Sequence, residues 1–331
     1  VQHAGDNHTR VINLSYGTDS VQSSMVDPLA FAVENAWKHG IVVVAAGGND
    51  GDASKTLANP ASDPHIIAVG AMDDAGTAST ADDTVPSWST HGTTDRHVDV
   101  VAPGVSVLGL RVPGGTADQA NPQARVGTRF ARASGTSQAA AVVSGEVALL
   151  LQANPNLTPD QIKVLLQNNA DGLPRASTTM SGSGRTDLHK MFQQLLKMAP
   201  IPAAPASSWG TGTGSLEAAR GNSHVGDDTA VLSGEVDVFG QPWNGASWAK
   251  ADAARQVWKG GNWRGQTLTG GGWKDVSGRK TWPTRAWTQT GVGVTVTSDW
   301  TARMWRDDAW TARMWRDNDW SARMWRDESW G

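Results

Sequence analysis

Apolar residues in the first two hundred positions come in short, dense runs that are separated by small and polar residues. Residues 41–46 form a continuous run of strand length, typical of a parallel strand covered on both faces, and residues 66–71 repeat that pattern. Residues 11–14 and 98–102, each interrupted by one polar residue, predict two more strands, the first of them buried. Residues 29–37 place apolar side chains at i, i+3, i+4, i+7 and i+8, which predicts a helix with one apolar face. Strands that alternate with helices at this spacing predict an α/β domain with a parallel sheet.

Two further helices follow in the same part of the chain. One begins at Ser137 and runs to about Ala153; because it is apolar nearly all round, we expect it to be central. The next has a complete start signal, in which Thr158 is the cap, Pro159 is the first helical residue and Gln161 completes a capping box.

The start of the central helix carries the candidate chemistry. Gly135 and Thr136 precede Ser137 and alanines follow it, so little side-chain bulk surrounds the hydroxyl. A serine in the first helical turn lies among unpaired backbone N–H groups and at the positive end of the helix dipole. That position favours the negative charge that develops during attack on a carbonyl. The alternative is that Ser137 only caps the helix.

Five sequence blocks occur in the order, and at about the spacing, of signature blocks of the subtilisin-like serine proteases. They are VINLSYG at 11–17, VVVAAGGNDG at 42–51, NPA with IIAVGA at 59–71, DVVAPG at 99–104 and GTSQA at 135–139. The chain therefore resembles this family over about residues 10–197. The resemblance implies a three-layer α/β fold in which helices cover both faces of a parallel sheet.

The resemblance also implies roles for individual residues. In the family, the serine of Gly-Thr-Ser is the nucleophile and an asparagine that closes an apolar strand donates to the oxyanion; these roles fall on Ser137 and Asn49. The alternative for Asn49 is a turn residue. A protein or peptide substrate is implied to lie as an extended strand between two backbone edges, above a small pocket floor. The residues implied for substrate binding are Ser15, Tyr16, Gly17, Ala46, Gly47, Gly48 and, at the floor, Ala58.

A serine nucleophile needs a general base, and that base needs an orienting carboxylate. In the family both precede the block that aligns with 11–17, and none of the eight histidines here fits that place. His3 and His8 lie in a polar segment, and we interpret His91, which follows the oxyanion block, as a decoy. The chain begins at Val1 rather than at a methionine, so we expect the triad aspartate and histidine to lie upstream. The chain alone is then expected to be nearly inactive.

Composition divides the chain into parts. Of its 17 tryptophans, only Trp37 and Trp88 precede residue 200. The predicted parts are a partial catalytic domain at 1–198, a Pro/Ala linker at 199–208, a Gly/Ser/Trp-rich region at 209–298 and decapeptide tryptophan repeats at 299–331. The last two form a tail that we expect to be β or irregular.

Two interpretations of the tail stay open. One is an aromatic platform that binds a cell-wall or other surface polymer, and the other is a low-complexity segment. The first gives an alternative function for the whole chain, a degenerate, non-catalytic protease that binds through its tail. Such tails resemble those of secreted actinobacterial proteases, which implies a secreted protein.

Charge and composition also bear on the partners and metal sites that can be expected. The net charge of −4 gives no reason to expect a nucleic acid partner, and the chain has no cysteine for a disulfide or a thiolate metal site. The richest apolar run, 139–151, is too short to span a bilayer and contains Glu146. We expect no required cofactor. Structural calcium is possible by resemblance, but no acidic cluster resembles a calcium loop, and we interpret 73–74 and 82–83 as solvated turns.

Overall fold

The computed structural model describes residues 9–203, 207–222 and 242–259, together with short stretches between 224 and 237 and between 262 and 275. Its centre is a four-stranded parallel sheet in the order β1-β2-β3-β4. The strands are β1 (Val11–Leu14), β2 (Val42–Ala46), β3 (Ile67–Met72) and β4 (Val100–Pro103). Every residue of β2 and β3 is buried, and because side chains alternate between faces, both faces of the sheet are covered.

Helices and smaller sheets complete the described part of the chain. The helices are α1 (Pro28–Lys38), α2 (Thr116–Ala120), α3 (Thr136–Ala153), α4 (Pro159–Asn168), α5 (Thr178–Ser181), α6 (Leu188–Leu196), α7 (Leu216–Arg220) and α8 (Gly245–Ala253), with 3₁₀ turns at Gly51–Ala53 and Pro122–Ala124. The remaining strands are β5 (Val107–Leu110), β6 (Arg125–Val126), β7 (Phe130–Ala133), β8 (Gly226–Asp227), β9 (Ala230–Val231), β10 (Trp258–Lys259), β11 (Asn262–Trp263), β12 (Gln266–Thr269) and β13 (Gly272–Asp275). All of these smaller strands pair antiparallel. No helix of the described residues has the length and apolarity needed to cross a membrane.

The prediction that residues 11–14 form a fully buried strand was wrong. Val11, Ile12 and Leu14 are half-buried and Asn13 is exposed. The reason is that β1 lies at the edge of the sheet and, among the described residues, pairs only with β2.

Helix α3 is central, but it is not buried all round. It packs against all four strands of the parallel sheet through residues that include Ala140, Val143 and Leu150. On its other side Ala141, Gly145 and Ala148 are exposed or half-buried, and Leu149 is 45% exposed. The described residues therefore do not fully cover the apolar side chains on that side of α3.

Helix α1 is buried on two faces rather than on the one that its periodicity predicts. Val33, Ala36 and Trp37 join the main core as expected. The opposite face carries Phe31 and Asn35, and it is covered by α8. There the rings of Phe31 and Trp248 meet edge to face, 5.9 Å apart, and Asn35 donates a hydrogen bond to Asp252.

The β4 edge of the sheet is closed by the chain itself. Val101 N donates to Gly184 O at 2.9 Å, and Thr186 N donates to Val101 O at 3.1 Å. Just before β4, the buried carboxylate of Asp99 accepts from Ala68 N at 2.8 Å and lies 3.0 Å from Lys163 Nζ. Burial opposes ionisation of Asp99, but the cations Arg96 and Lys163 outweigh it and keep the pKa of the carboxyl below its usual value.

Candidate active site

Ser137 occupies the second position of α3 and does not cap it. The N-cap is Gly135, which makes no side-chain hydrogen bond to the helix. Ser137 Oγ instead donates to the carbonyl oxygen of Ser15 at 3.3 Å, and Ser15 Oγ donates to the carbonyl oxygen of Ser137 at 2.9 Å. The hydroxyl is thus held between the first turn of α3 and the carboxyl end of β1.

Asn49 follows β2 and reaches the same helix start. Its buried Oδ1 accepts hydrogen bonds from Thr136 N at 2.9 Å and from Thr136 Oγ1 at 3.0 Å. A Cβ built on Gly135 would lie 3.3 Å from Asn49 Nδ2, so the amide nitrogen lies against the backbone that leads to Ser137. The structure therefore places Asn49 directly beside the turn that carries Ser137, with its amide donor on that side.

Two threonines that had no predicted role, Thr136 and Thr90, hold the Asn49 loop against the start of α3. The fully buried Thr136 also accepts from Gly48 N through its Oγ1, at 3.2 Å. Thr90 N donates to Gly48 O at 3.0 Å, and Thr90 Oγ1 accepts from Asp50 N at 3.0 Å. The sequence could have indicated a role for Thr136 only through its place as a polar residue at the first position of a largely apolar helix. Nothing in the sequence around Thr90 indicates a role for it.

The two implied substrate edges differ in their backbone. Among the described residues, neither Tyr16 nor Gly17 uses its main-chain N–H or C=O in a hydrogen bond, so this edge offers donors and acceptors to an extended peptide. In the second edge, which begins at Ala46, Gly47 N donates to Val69 O at 2.9 Å and Gly48 N is bonded to Thr136. The N–H groups of Gly47 and Gly48 are therefore already bonded within the domain, and the second edge would contact a peptide without donating these hydrogen bonds to it.

Ala58 lies between the two edges. Its amide donates to Gly47 O at 2.9 Å. A Cβ on Gly17 would lie 2.6 Å from Ala58 Cβ, and one on Gly48 would lie 3.5 Å from it. The structure thus brings Gly17, Gly48 and the buried Ala58 together, which is the arrangement that a narrow pocket with a small floor requires.

The match to known proteins agrees with this geometry. The family model described as the subtilase family matches residues 1–192, more than half of the chain. The chain belongs to the subtilase family. It is similar to serine protease AprX of Bacillus subtilis (strain 168), with 42% identity over 179 residues, which is 53% of this chain and 40% of that protein. Subtilisin BL of Lederbergia lenta is 35% identical over 184 residues, covering 56% of each chain.

A solved structure of a subtilase is also similar. Fervidolysin from Fervidobacterium pennivorans, described as a keratinolytic enzyme related to subtilisin, is 32% identical with a TM-score of 0.47, and the alignment covers 60% of this chain and 28% of that one. The present subtilase chain spans about 40% of the length of AprX and 56% of the length of subtilisin BL.

His91 is the histidine that follows the oxyanion block. His91 Nδ1 lies 3.3 Å from the carboxylate of Asp52, a residue on the surface beyond the oxyanion loop. His3 and His8 lie outside the described residues. The source of a general base therefore stays a prediction.

The two acidic pairs at 73–74 and 82–83 differ in their surroundings. Asp73 and Asp74 accept hydrogen bonds from the amides of Ala75 and Gly76 within their own turns. The expectation of a solvated turn was wrong for Asp83, which is 3% exposed and lies 3.7 Å from the guanidinium of Arg185. Within the described residues, no three acidic or histidine side chains are grouped to hold a metal ion.

Proposed function

We propose that this chain contains the nucleophile half of a secreted serine endopeptidase. The supporting observation is the pair of hydrogen bonds that hold Asn49 against Thr136, next to Ser137. Those bonds direct the Asn49 amide nitrogen to the side where a substrate carbonyl attacked by Ser137 would develop negative charge. Membership of the subtilase family supports a serine peptidase and hence a protein or peptide substrate.

The chemistry is acyl transfer. Ser137 Oγ forms a bond to the scissile carbonyl carbon, and its proton passes to a general base, which then gives it to the leaving amine as the C–N bond breaks. In the tetrahedral intermediate, Asn49 Nδ2 and the N–H groups at the start of α3 donate to the oxyanion. Water then releases the acyl group in a second step of the same kind. The peptide lies along Tyr16 and Gly17, whose main-chain groups pair with it as with a neighbouring strand.

The base and its orienting carboxylate come, in this proposal, from a segment upstream of Val1. Two features of the structure support a partner at that side. Among the described residues, β1 pairs on one side only, and the side of α3 that faces away from the sheet exposes Ala148 and Leu149. A strand paired with β1 would extend the sheet and bring its carboxyl end close to Ser15 and Ser137.

The test is to express residues 1–331 and measure hydrolysis of a peptide ester together with labelling by a serine-directed phosphonate. Removal of the base in a subtilisin lowers turnover by about 10⁶, so we expect negligible hydrolysis and slow labelling that disappears in Ser137→Ala. A longer form that carries the upstream segment should recover turnover. Robust turnover by residues 1–331 would show that a base lies within this chain, with His3, His8 and His91 as the candidates.

The alternative, a non-catalytic binder, depends on the tail. The repeats at 299–331 lie outside the described residues, so a cell-wall or surface polymer as partner stays a prediction. Sequencing the upstream region separates the two functions, because an aspartate and a histidine in family context there require the enzyme. Their absence from the full gene would leave the binder.

A further inference from the structure

A segment beyond the family match is bound to the subtilase domain by specific contacts. We call residues 207–222 the extension segment; near its start the ring of Trp209 stacks on His65 at 3.6 Å with an interplanar angle of 10°. Lys38 Nζ lies 4.2 Å from the centre of the same ring. The next amide, Gly210 N, donates to both oxygens of the Glu34 carboxylate at 2.9 Å, and Glu34 is only 1% exposed. The segment is therefore anchored on α1 and on the turn before β3.

From this anchor the extension segment follows the loop at 18–27, which joins β1 to α1. Thr211 N donates to Met25 O and Gly214 N to Val26 O, both at 2.7 Å. Ser215 forms two hydrogen bonds with one side chain: its amide donates to Gln22 Oε1 at 2.9 Å, and its carbonyl accepts from Gln22 Nε2 at 3.2 Å. These bonds order a stretch of the loop that has no regular secondary structure.

The far end of the extension segment holds the beginning of the loop. Thr18 Oγ1 donates to Ala219 O at 2.6 Å. The carboxylate of Asp19 accepts from both nitrogens of Asn222, N and Nδ2, at 2.7 Å each. Gly221, between the two contacts, has φ +57, and a Cβ there would lie 2.2 Å from Asp19 Oδ1. The fit between loop and segment is therefore close enough to exclude a side chain.

The loop held in this way borders the candidate substrate pocket. Thr18 and Asn59 exchange two main-chain hydrogen bonds of 2.9 Å, one residue beyond Gly17 and Ala58, which meet in the pocket. A second connection passes through Asp27, which accepts from Gln22 Nε2 at 3.0 Å and from Asn59 Nδ2 at 3.1 Å. Both connections lead from the extension segment to the two bridged backbone segments that border the pocket, at Thr18 and at Asn59.

Apart from its bonds to Asn59 and the capping of α1 by Asp27, the middle of the loop makes few buried apolar contacts. Val21 is 91% exposed, and Met25 and Val26 are also exposed. Few buried apolar contacts and solvent-exposed backbone are the features of segments that open locally at low free-energy cost. The contacts with the extension segment therefore account for much of the order at 18–27.

We propose that residues 215–222 are a positioning element for the substrate pocket, so that docking of the extension segment fixes Gly17 and Ala58 for peptide binding. The inference rests on the proposed function for its consequence, peptide binding, but the positioning itself is a property of the fold. Residues 215–222 do not touch the reacting atoms. They act through Thr18, Gln22 and Asn59.

Hydrogen exchange on the full chain tests the positioning without any need for catalysis. Gly221→Ala introduces a Cβ that collides with Asp19, whereas Gly127→Ala is a matched control, since Gly127 also has positive φ (+59) but a Cβ there would meet no atom within 4 Å. We expect the amides of Thr18 and Asn59 to exchange at least about tenfold faster in Gly221→Ala than in the control, with β2 unchanged. Unchanged β2 also shows that the domain is folded.

A second variant avoids backbone strain. Asn222→Asp keeps the shape of the side chain but places a carboxylate against the carboxylate of Asp19. It should give the same increase in exchange at Thr18 and Asn59. The proposal is overturned if either variant loosens residues 215–222 while Thr18 and Asn59 exchange as in the control.

Peptide binding gives the functional readout. A fluorescein-labelled Ala-Ala-Phe peptide, followed by fluorescence polarisation, should bind Gly221→Ala about tenfold more weakly than Gly127→Ala, because the pocket is no longer preorganised. No binding to the wild-type chain would contradict the proposed function and leave the exchange result as the measure of positioning. Equal affinity for the two variants, with faster exchange in one, would contradict the link between the extension and the pocket.

Discussion

The two edges of the parallel sheet differ in how the chain completes them. At the β4 edge, Gly184 and Thr186 pair with Val101, and the buried Asp99 ties the sheet to Lys163 of α4. At the β1 edge, the described residues add no further strand, and the side of α3 away from the sheet exposes apolar residues such as Leu149. The β4 edge is therefore paired within the described residues, whereas the β1 edge is the one at which the proposed upstream segment would add a strand.

The difference shows which part of the site depends on which part of the fold. Asn49 follows β2 and bonds to Thr136 at the start of α3, so the proposed oxyanion donor is positioned without help from the β1 edge. Ser137, the proposed nucleophile, contacts Ser15 just after β1 and therefore lies on the open side. In the proposed function, a base that enters along β1 would meet a nucleophile and an oxyanion donor that are already in place.

The largest expected effect tests that claim of an already formed oxyanion site. Asn49→Asp keeps an oxygen to accept from Thr136 N but replaces the amide donor by a carboxylate. Loss of such a donor in a subtilisin costs about 10²–10³ in rate, and we expect phosphonate labelling of residues 1–331 to slow by at least about 10². Asn156→Asp, the same change at an exposed position, should label as the wild type does. Equal labelling of the two variants would remove Asn49 from the site.

The next effect concerns the closed edge. Asp99→Asn leaves Lys163 and Arg96 without the buried carboxylate between them, and breaking a buried ion pair costs about 3–5 kcal/mol. We expect a loss of about 3 kcal/mol in the free energy of unfolding, measured by urea denaturation. Asp171→Asn, which breaks the more exposed contacts with Arg185 and Lys190, should cost less than about 1 kcal/mol. Similar losses of unfolding free energy in the two variants would show that the contacts of Asp99 do not stabilise the β4 edge more than surface ion pairs do.

Two neighbouring leucines allow the buried and the exposed sides of α3 to be compared. Leu150 is fully buried against the sheet and Leu149 is on the exposed side. Leu150→Ala should cost about 2–5 kcal/mol, and Leu149→Ala less than about 0.5 kcal/mol, in urea denaturation of residues 1–331. In a longer form that includes the upstream segment, Leu149→Ala should become costly as well. If its cost stays small there, the exposed side of α3 is not the interface that we infer.

The sequence predicted the parts of the fold that local signals specify. The four short segments rich in apolar residues correspond to the four parallel strands, and Thr158 and Gln161 form the capping box. The proximity of Asn49 and Ser137 also followed from sequence, because the blocks that carry them resemble a known family. The apolar pattern did not predict how much of β1 and α3 is buried. A pattern shows which side chains are apolar, but it does not show whether another part of the protein covers them.

Contacts between distant parts of the chain could not be predicted. Asn35 and Asp252 are 217 residues apart in sequence, and nothing in the helical pattern of α1 indicates that its second face is covered by α8. The docking of Trp209 on His65 was equally invisible, because tryptophan in a Gly/Ser-rich region suggests a tail rather than a contact with the domain. The pocket edge at Gly17 was predicted, but the loop and extension that hold it were not.

The smallest expected effect comes from the one charged residue of α3, on the side away from Ser137. Glu146 Oε1 accepts from Thr186 Oγ1 at 2.9 Å, whereas Oε2 is buried with no hydrogen-bond partner among the described residues. Burial raises the pKa of Glu146 to about 7, against the opposing effect of the Thr186 hydrogen bond. The folded protein thus keeps this proton up to about pH 7, while the unfolded chain releases it near the ordinary value of about 4.3. Its stability therefore falls as the pH rises through that interval.

Glu146→Gln replaces the carboxyl by a group that resembles its protonated form and does not titrate. Below about pH 4 the variant and the wild type should have the same free energy of unfolding, and above pH 7 the variant should be more stable by about 1–2 kcal/mol. Urea denaturation at intervals from pH 4 to pH 9 measures the difference. Parallel profiles over that range would show that the carboxylate is solvated, and that α3 is less enclosed near the β4 edge than near its contact with the sheet centre.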